Sequence, residues 1–238
     1  MLFHKTPPLD GKPTMAEWPV RIWAEDEIKD EFRPQVRRWT QGKLDDYQFV
    51  YAPKRSTVPD SFAYLFGYGM DRLLYLRQAS DSVEPTELCR GQIQEIDLER
   101  NLLNVELVIH CEEQSRPESL RLHFPYIASV YYLYDPFLNW LLGLPCDFMP
   151  LQAERESPRP EKLYHESLAL YNFSLDAYRL GGGFTEYKYR KETYRNKWMP
   201  WKLNSREWLE IPMERGTFKL YHDGYCRKYQ YCEIQGRI

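Results

Sequence analysis

Five histidines (His4, His110, His123, His165 and His222) and five cysteines are the residues best suited to hold a metal or move protons. Metal ligation needs His, Cys and carboxylates at close helical or knuckle intervals. No histidine belongs to an HExxH or HxH pattern and no two cysteines form CxxC, so no metal site is predicted. His110 and His123 are the one pair that adjacent strands would bring together at the surface. Nucleophilic catalysis has no signature either: there is no GxSxG, and Cys146, between Pro145 and Asp147, reads as a buried or loop thiol. Gly181-Gly182-Gly183 follows a helix and lacks the Lys-Ser/Thr of a phosphate loop, which makes it a C-cap and hinge. No catalytic residue and no cofactor is assigned. An enzyme would have to be of an unrecognised type, built from His and carboxylates that meet only in the fold.

Binding chemistry is better represented. Residues 187–202 hold six basic residues, one acid and five aromatics in sixteen positions. Tyr187, Tyr189, Arg190, Arg195, Lys197, Trp198 and Trp201 are the candidate recognition residues, because Trp, Tyr and Arg dominate interface hot spots. A protein partner is the first expectation. The same cations would neutralise phosphates beside rings that stack on bases, or meet anionic lipid headgroups with Trp198 and Trp201 at the interface. The structural alternative is that the rings fill a core beneath a basic rim paired to Glu112, Glu113 or Glu154.

The chain of 238 residues is long enough to bury a sizeable core, and 43% apolar and 16% aromatic residues with few glycines argue for an ordered protein. A formal charge of −3 gives no global attraction to nucleic acid or anionic membrane. The odd number of scattered cysteines favours free thiols in a reducing compartment. No secretory signal pattern and no run of about 18 apolar residues is visible, so a cytoplasmic chain without a transmembrane segment is expected.

The elements that must position these residues follow from periodicity. Residues 1–45 read as a Pro-rich arm and a helix whose apolar face is Ile28, Phe32, Val36 and Trp39, with Pro34 expected to break or kink it. Strands are expected at 48–52, 61–68, 71–77, 89–98, 103–109 and 119–124, the second and third forming a hairpin. Leu103, Val105, Leu107 and Ile109 alternate with polar neighbours and mark one buried face. The aromatic segment 125–144 should be helical in two pieces, with Pro125 in a first turn and a bend at Tyr134-Asp135. Residues 147–160 read as a linker. Tyr164, Leu168, Tyr171, Leu175 and Tyr178 mark the apolar stripe of a helix over about 160–180, and His222-Asp223-Gly224 joins a C-terminal hairpin.

Asp71-Arg72-Leu73-Leu74-Tyr75-Leu76, then Gly91 to Ile109 with its Ile93-Gln94-Glu95-Ile96 strand, then Leu120 to Phe124 and a closing helix, resembles the strand order of bacterial pleckstrin-homology-like domains. The resemblance covers about residues 46–144. It implies a curved sheet or barrel used for binding or assembly, with no active site built into the fold, and it carries no ligand residues. The reading is therefore an α+β protein: an antiparallel strand meander or small pleckstrin-homology-like barrel closed by a helix (46–144), preceded by an arm and helix (1–45). An aromatic-rich helix and β-hairpin extension (145–238) follows. Its expected function is non-catalytic binding or scaffolding, with nucleic-acid binding through 187–202 as the alternative.

Overall fold

A computed structural model describes residues 17–56, 61–80, 82–111, 120–195, 201, 203–214, 216–223 and the backbone of 226–232 with the Lys228 side chain. The fold is α+β with antiparallel sheets, and the chain divides into two units, residues 1–87 and 88–238.

In the first unit a five-stranded sheet has the order β1 (Val20–Ile22), β2 (Gln48–Ala52), β3 (Tyr64–Gly69), β4 (Arg72–Gln78), β5 (Val83–Cys89), the last strand ending just past the division. Helix α1 (Arg33–Thr40) supplies Val36 and Trp39 to a core that also holds Ile28, Phe32, Phe49, Leu65 and Leu74. The four-four-three apolar spacing thus sits on one buried face. Pro34 starts the helix instead of breaking it, since a first-turn proline gives up an N–H that has no intrahelical partner. Burial of each large side chain here contributes about 1.5–3 kcal/mol. The expected hairpin is β3–β4, in register from Tyr64↔Arg77 to Gly69↔Arg72.

The second unit is built on a seven-stranded sheet. One three-stranded meander is β6 (Ile93–Asn101), β7 (Asn104–Cys111) and β8 (Leu120–Ile127); another is β9 (Lys188–Arg195), β10 (Leu203–Met213) and β11 (Gly216–Asp223). Strand β12 (Cys226–Cys232) pairs with both β11 and β6 and joins them into one sheet of order β8-β7-β6-β12-β11-β10-β9. The expected strands therefore lie in two sheets, and among the described residues neither closes into a barrel. One face carries the core: Leu98, Leu107 and Phe124 lie side by side, as do Ile96, Ile109 and Leu122, with Leu209 beside Leu220 in the other meander. Helix α2 (Tyr131–Leu141) covers this face, with Phe137 5.3 Å from Phe124 and Tyr134 stacked 3.8 Å from Tyr126.

Four local expectations are corrected. Pro125 lies in β8, an edge strand that tolerates a missing N–H on its unpaired side, and α2 continues through Pro136 without dividing. Leu103 is an exposed turn residue between β6 and β7, because the strand starts one residue later. Residues 147–160 contain helix α3 (Pro150–Glu156), packed against the 3-10 segment Ser174–Arg179. The helix over 160–180 is three pieces: α4 (Glu161–Glu166), α5 (Leu168–Phe173) and that 3-10 segment. Leu163, Ser167, Leu170, Ser174 and Ala177 are buried, the predicted rhythm shifted by one residue; of the predicted stripe Tyr178 is buried, while Tyr164 and Leu168 are exposed.

Candidate functional site

Strand β9 lies at one edge of the seven-stranded sheet, and a strand sends successive side chains to opposite faces. The basic aromatic stretch is therefore split. Tyr187, just before β9, and Tyr189 turn to the helix-bearing side: the Tyr187 hydroxyl donates to Glu166 Oε2 at 2.7 Å, and that of Tyr189 to Glu207 Oε1 and the Glu166 carbonyl, each at 3.2 Å. Arg190 takes the other face. Arg195 is exposed at the end of β9 and Trp201 is exposed beyond it. Lys197 and Trp198 lie outside the described residues.

On the helix-bearing side Glu207 is a buried acid at the centre of a polar cluster. It accepts from the Ser167 hydroxyl at 2.6 Å and faces Lys191 Nζ at 3.0 Å and His222 Nδ1 at 3.6 Å. Burial raises its pKa, but the Ser167 hydrogen bond, the Lys191 ammonium and the Tyr189 hydroxyl together bring it below the ordinary carboxylate value. Tyr189 is pushed up to about 12 by burial and then by Glu207. Ser167 also accepts the Leu170 N–H at 3.3 Å, capping α5. The cluster ties the helices to β9, β10 and β11.

The opposite face carries a different arrangement. Pairing aligns Arg190, Trp208 and Tyr221 in one row across β9, β10 and β11, and Glu192 with Arg206 in the next, where the Arg206 side chain reaches Asp223. The Arg190 guanidinium lies 4.1 Å from the Trp208 ring centroid, and the Trp208 and Tyr221 rings are 5.5 Å apart at 51°. Arg206 lies 4.5 Å over the Tyr194 ring, and Asp223 accepts from the Tyr221 hydroxyl at 3.0 Å, the Tyr194 hydroxyl at 3.2 Å and Arg206 Nε at 3.4 Å. Burial and the Asp223 carboxylate push Tyr221 up to about 12, so its hydroxyl stays a donor. The contacts of α2 and α5 named above all fall on the other face. Cations at 64% and 47% side-chain exposure, fixed over rings, can engage a partner without ordering long flexible side chains at that moment.

Each described histidine meets a carboxylate: His110 with Asp97 at 3.0 Å, His123 with Glu106 at 2.7 Å, His165 with Glu161 at 3.8 Å, and His222 with Glu207. His110 and His123, expected as neighbours, are each drawn to an acid on the strand opposite. Among the described residues no group of three or more His, Cys, Asp or Glu side chains is placed to hold a metal ion. A cleft of about 190 Å³ lies between the sheet and α2, lined by Arg100, Tyr126, Tyr131, Asp135, Asp176 and Arg179 among others, with no histidine in its wall. Trp208, Arg206, Tyr194 and Tyr221 were not singled out from the sequence. The available signal was the alternation of Arg206, Trp208 and Glu210 against Glu207, Leu209 and Ile211, which an acid at a core position obscures.

In comparison with known proteins, no family model, no curated protein and no solved structure matches this chain. No helix among the described residues is long and apolar enough to cross a membrane.

Proposed function

We propose that the chain is a non-catalytic binding or scaffolding protein whose recognition surface is the helix-free face of the seven-stranded sheet. The observation that carries this is the Arg190–Trp208–Tyr221 row, which crosses three strands with both ends partly exposed. Trp, Tyr and Arg concentrate interface energy, and here they stand on rigid strands. A protein partner is favoured over nucleic acid because Glu192, Glu210 and Asp223 are interleaved with the cations of β9–β11, and Asp97, Glu99 and Glu106 follow on β6 and β7. Mixed charge suits a mixed-charge partner and repels a polyanion. A pleckstrin-homology-like relationship, within this reading, applies to β6–β8 and α2, a meander followed by a helix.

The test is affinity capture from source-cell lysate with the tagged chain, with and without nuclease, against Arg190→Glu/Trp208→Ala. A specific protein recovered in both nuclease conditions and lost from the variant is the expected result. Recovery that disappears with nuclease would assign the face to nucleic acid, and no variant-sensitive partner would remove it as a binding surface.

A further inference from the structure

The first unit holds a cleft of about 620 Å³, within the roughly 300–1,000 Å³ of small-molecule sites, whose wall includes Lys54, Ser61, Phe62, Arg77, Gln78 and Glu84. Strand pairing explains the assembly. Tyr64 of β3 stands between Ala52 of β2 and Arg77 of β4, so Lys54, two residues past the end of β2, and Phe62, two before the start of β3, come out beside Arg77 at one end of the sheet.

The cations are set for an anion. The Arg77 guanidinium lies 4.4 Å from the Phe62 ring centroid, and that ring is 5.9 Å from the ring of buried Tyr64. A guanidinium held over a ring keeps its N–H fork ready for bidentate contact with an oxyanion. Among the described residues no carboxylate forms an ion pair with Arg77 or Lys54, and both side chains are exposed. The Ser61 hydroxyl accepts the Arg55 N–H at 2.9 Å, which leaves its own proton to donate.

Glu84 lines the same cleft and has no ion-pair partner among the described residues. Burial raises the Tyr75 pKa, with Arg77 lowering it and Glu84 raising it, so the cation and the acid are both felt at one buried ring. They stand near each other without pairing. An exposed carboxylate in that position is an acceptor for hydroxyl groups of whatever the cations hold.

We propose that this cleft binds a small hydroxylated phosphate monoester, a sugar phosphate by chemical class, with Lys54 and Arg77 on the phosphate and Glu84 accepting from the ligand's hydroxyls. A phosphate monoester carries about −1.5 to −2 charges at neutral pH, which calls for two cations where a carboxylate needs one. The cleft exceeds what a phosphate group fills, and the remaining space takes the sugar.

The experiment is isothermal titration calorimetry of the full-length chain with ribose 5-phosphate, glucose 6-phosphate and glycerol 3-phosphate, against inorganic phosphate, the free sugars and a phosphoserine peptide. At least one sugar phosphate should bind about tenfold more tightly than inorganic phosphate or its free sugar, and Arg77→Gln and Lys54→Gln should each weaken it by about tenfold. Glu84→Gln should bring that ester down towards inorganic phosphate. Far-UV circular dichroism of the three variants, all at exposed positions, should match the wild type. No binding of any ester, or binding that Arg77→Gln leaves intact, would overturn the proposal. Tighter binding of every ester by Glu84→Gln would overturn it too, by making the acid a repulsive neighbour, and so would a phosphoserine peptide that outbinds all the esters, by giving the cleft to a protein.

Discussion

Glu207 is a carboxylate in a position whose strand neighbours Leu209 and Ile211 are core residues, and it survives burial because Ser167, Tyr189 and Lys191 all stabilise its charged form. Glu207→Ala leaves the Ser167 hydroxyl without its carboxylate acceptor and Tyr189 with the Glu166 carbonyl alone, and should cost about 2–3 kcal/mol in denaturant unfolding. Its folded pKa lies below the ordinary 4.5, so the contribution is fully present above that pH and is lost as pH falls through the depressed value. The wild type should lose stability there faster than Glu207→Gln. A second residue-scale expectation concerns Cys111, whose thiol burial raises from 9.0 to about 12, whereas Cys89 and Cys146 are exposed. Iodoacetamide at pH 8 should label Cys89 and Cys146 and leave Cys111 unmodified, as read by peptide mass spectrometry. Equal labelling of Cys111 would contradict its place in the core.

Elements were legible where period and residue type agreed. The face Ile28–Phe32–Val36–Trp39, the β3–β4 hairpin and the Val105–Leu107–Ile109 face of β7 follow directly from apolar spacing. The rest failed where a polar residue holds a buried position. Ser167 and Ser174 face inward because each has a hydrogen-bond partner, Glu207 for one and the Tyr171 carbonyl for the other, and this moved the apparent stripe of the 160–180 segment by one residue. Glu207 hid β10 in the same way, and with β10 unseen the partners of Arg190 could not be named. Half of the recognition stretch was thus legible as composition, while its division between two faces waits on the register. Close packing also constrains elements beyond any period: a Cβ on Gly67 of β3 would lie 2.1 Å from the Phe49 ring, itself 1% exposed. Gly67→Ala should destabilise by about 1–3 kcal/mol through overpacking, measured by urea unfolding, and an unchanged midpoint would contradict the packing of that core.

At the scale of the whole molecule, two sheets in two units give the chain its cores, and the described contacts of α2 and α5 fall on one face of the seven-stranded sheet, while aromatic rings and arginines align on the other. Its edges are blunted, with Pro125 in β8 and a run of charges in β9, which protects against edge-to-edge association. The most direct test of that assignment is site-specific photocrosslinking in source-cell lysate. A photoreactive side chain is placed at Lys219, exposed on β11 beside the Arg190–Trp208–Tyr221 row, and in a parallel protein at Tyr164, exposed on the helix layer. A discrete protein adduct from position 219 that Trp208→Ala abolishes, with none from position 164, is the expected result. An adduct from position 164 alone, or one from 219 that Trp208→Ala leaves intact, would contradict the claim that the open sheet face is where this protein binds.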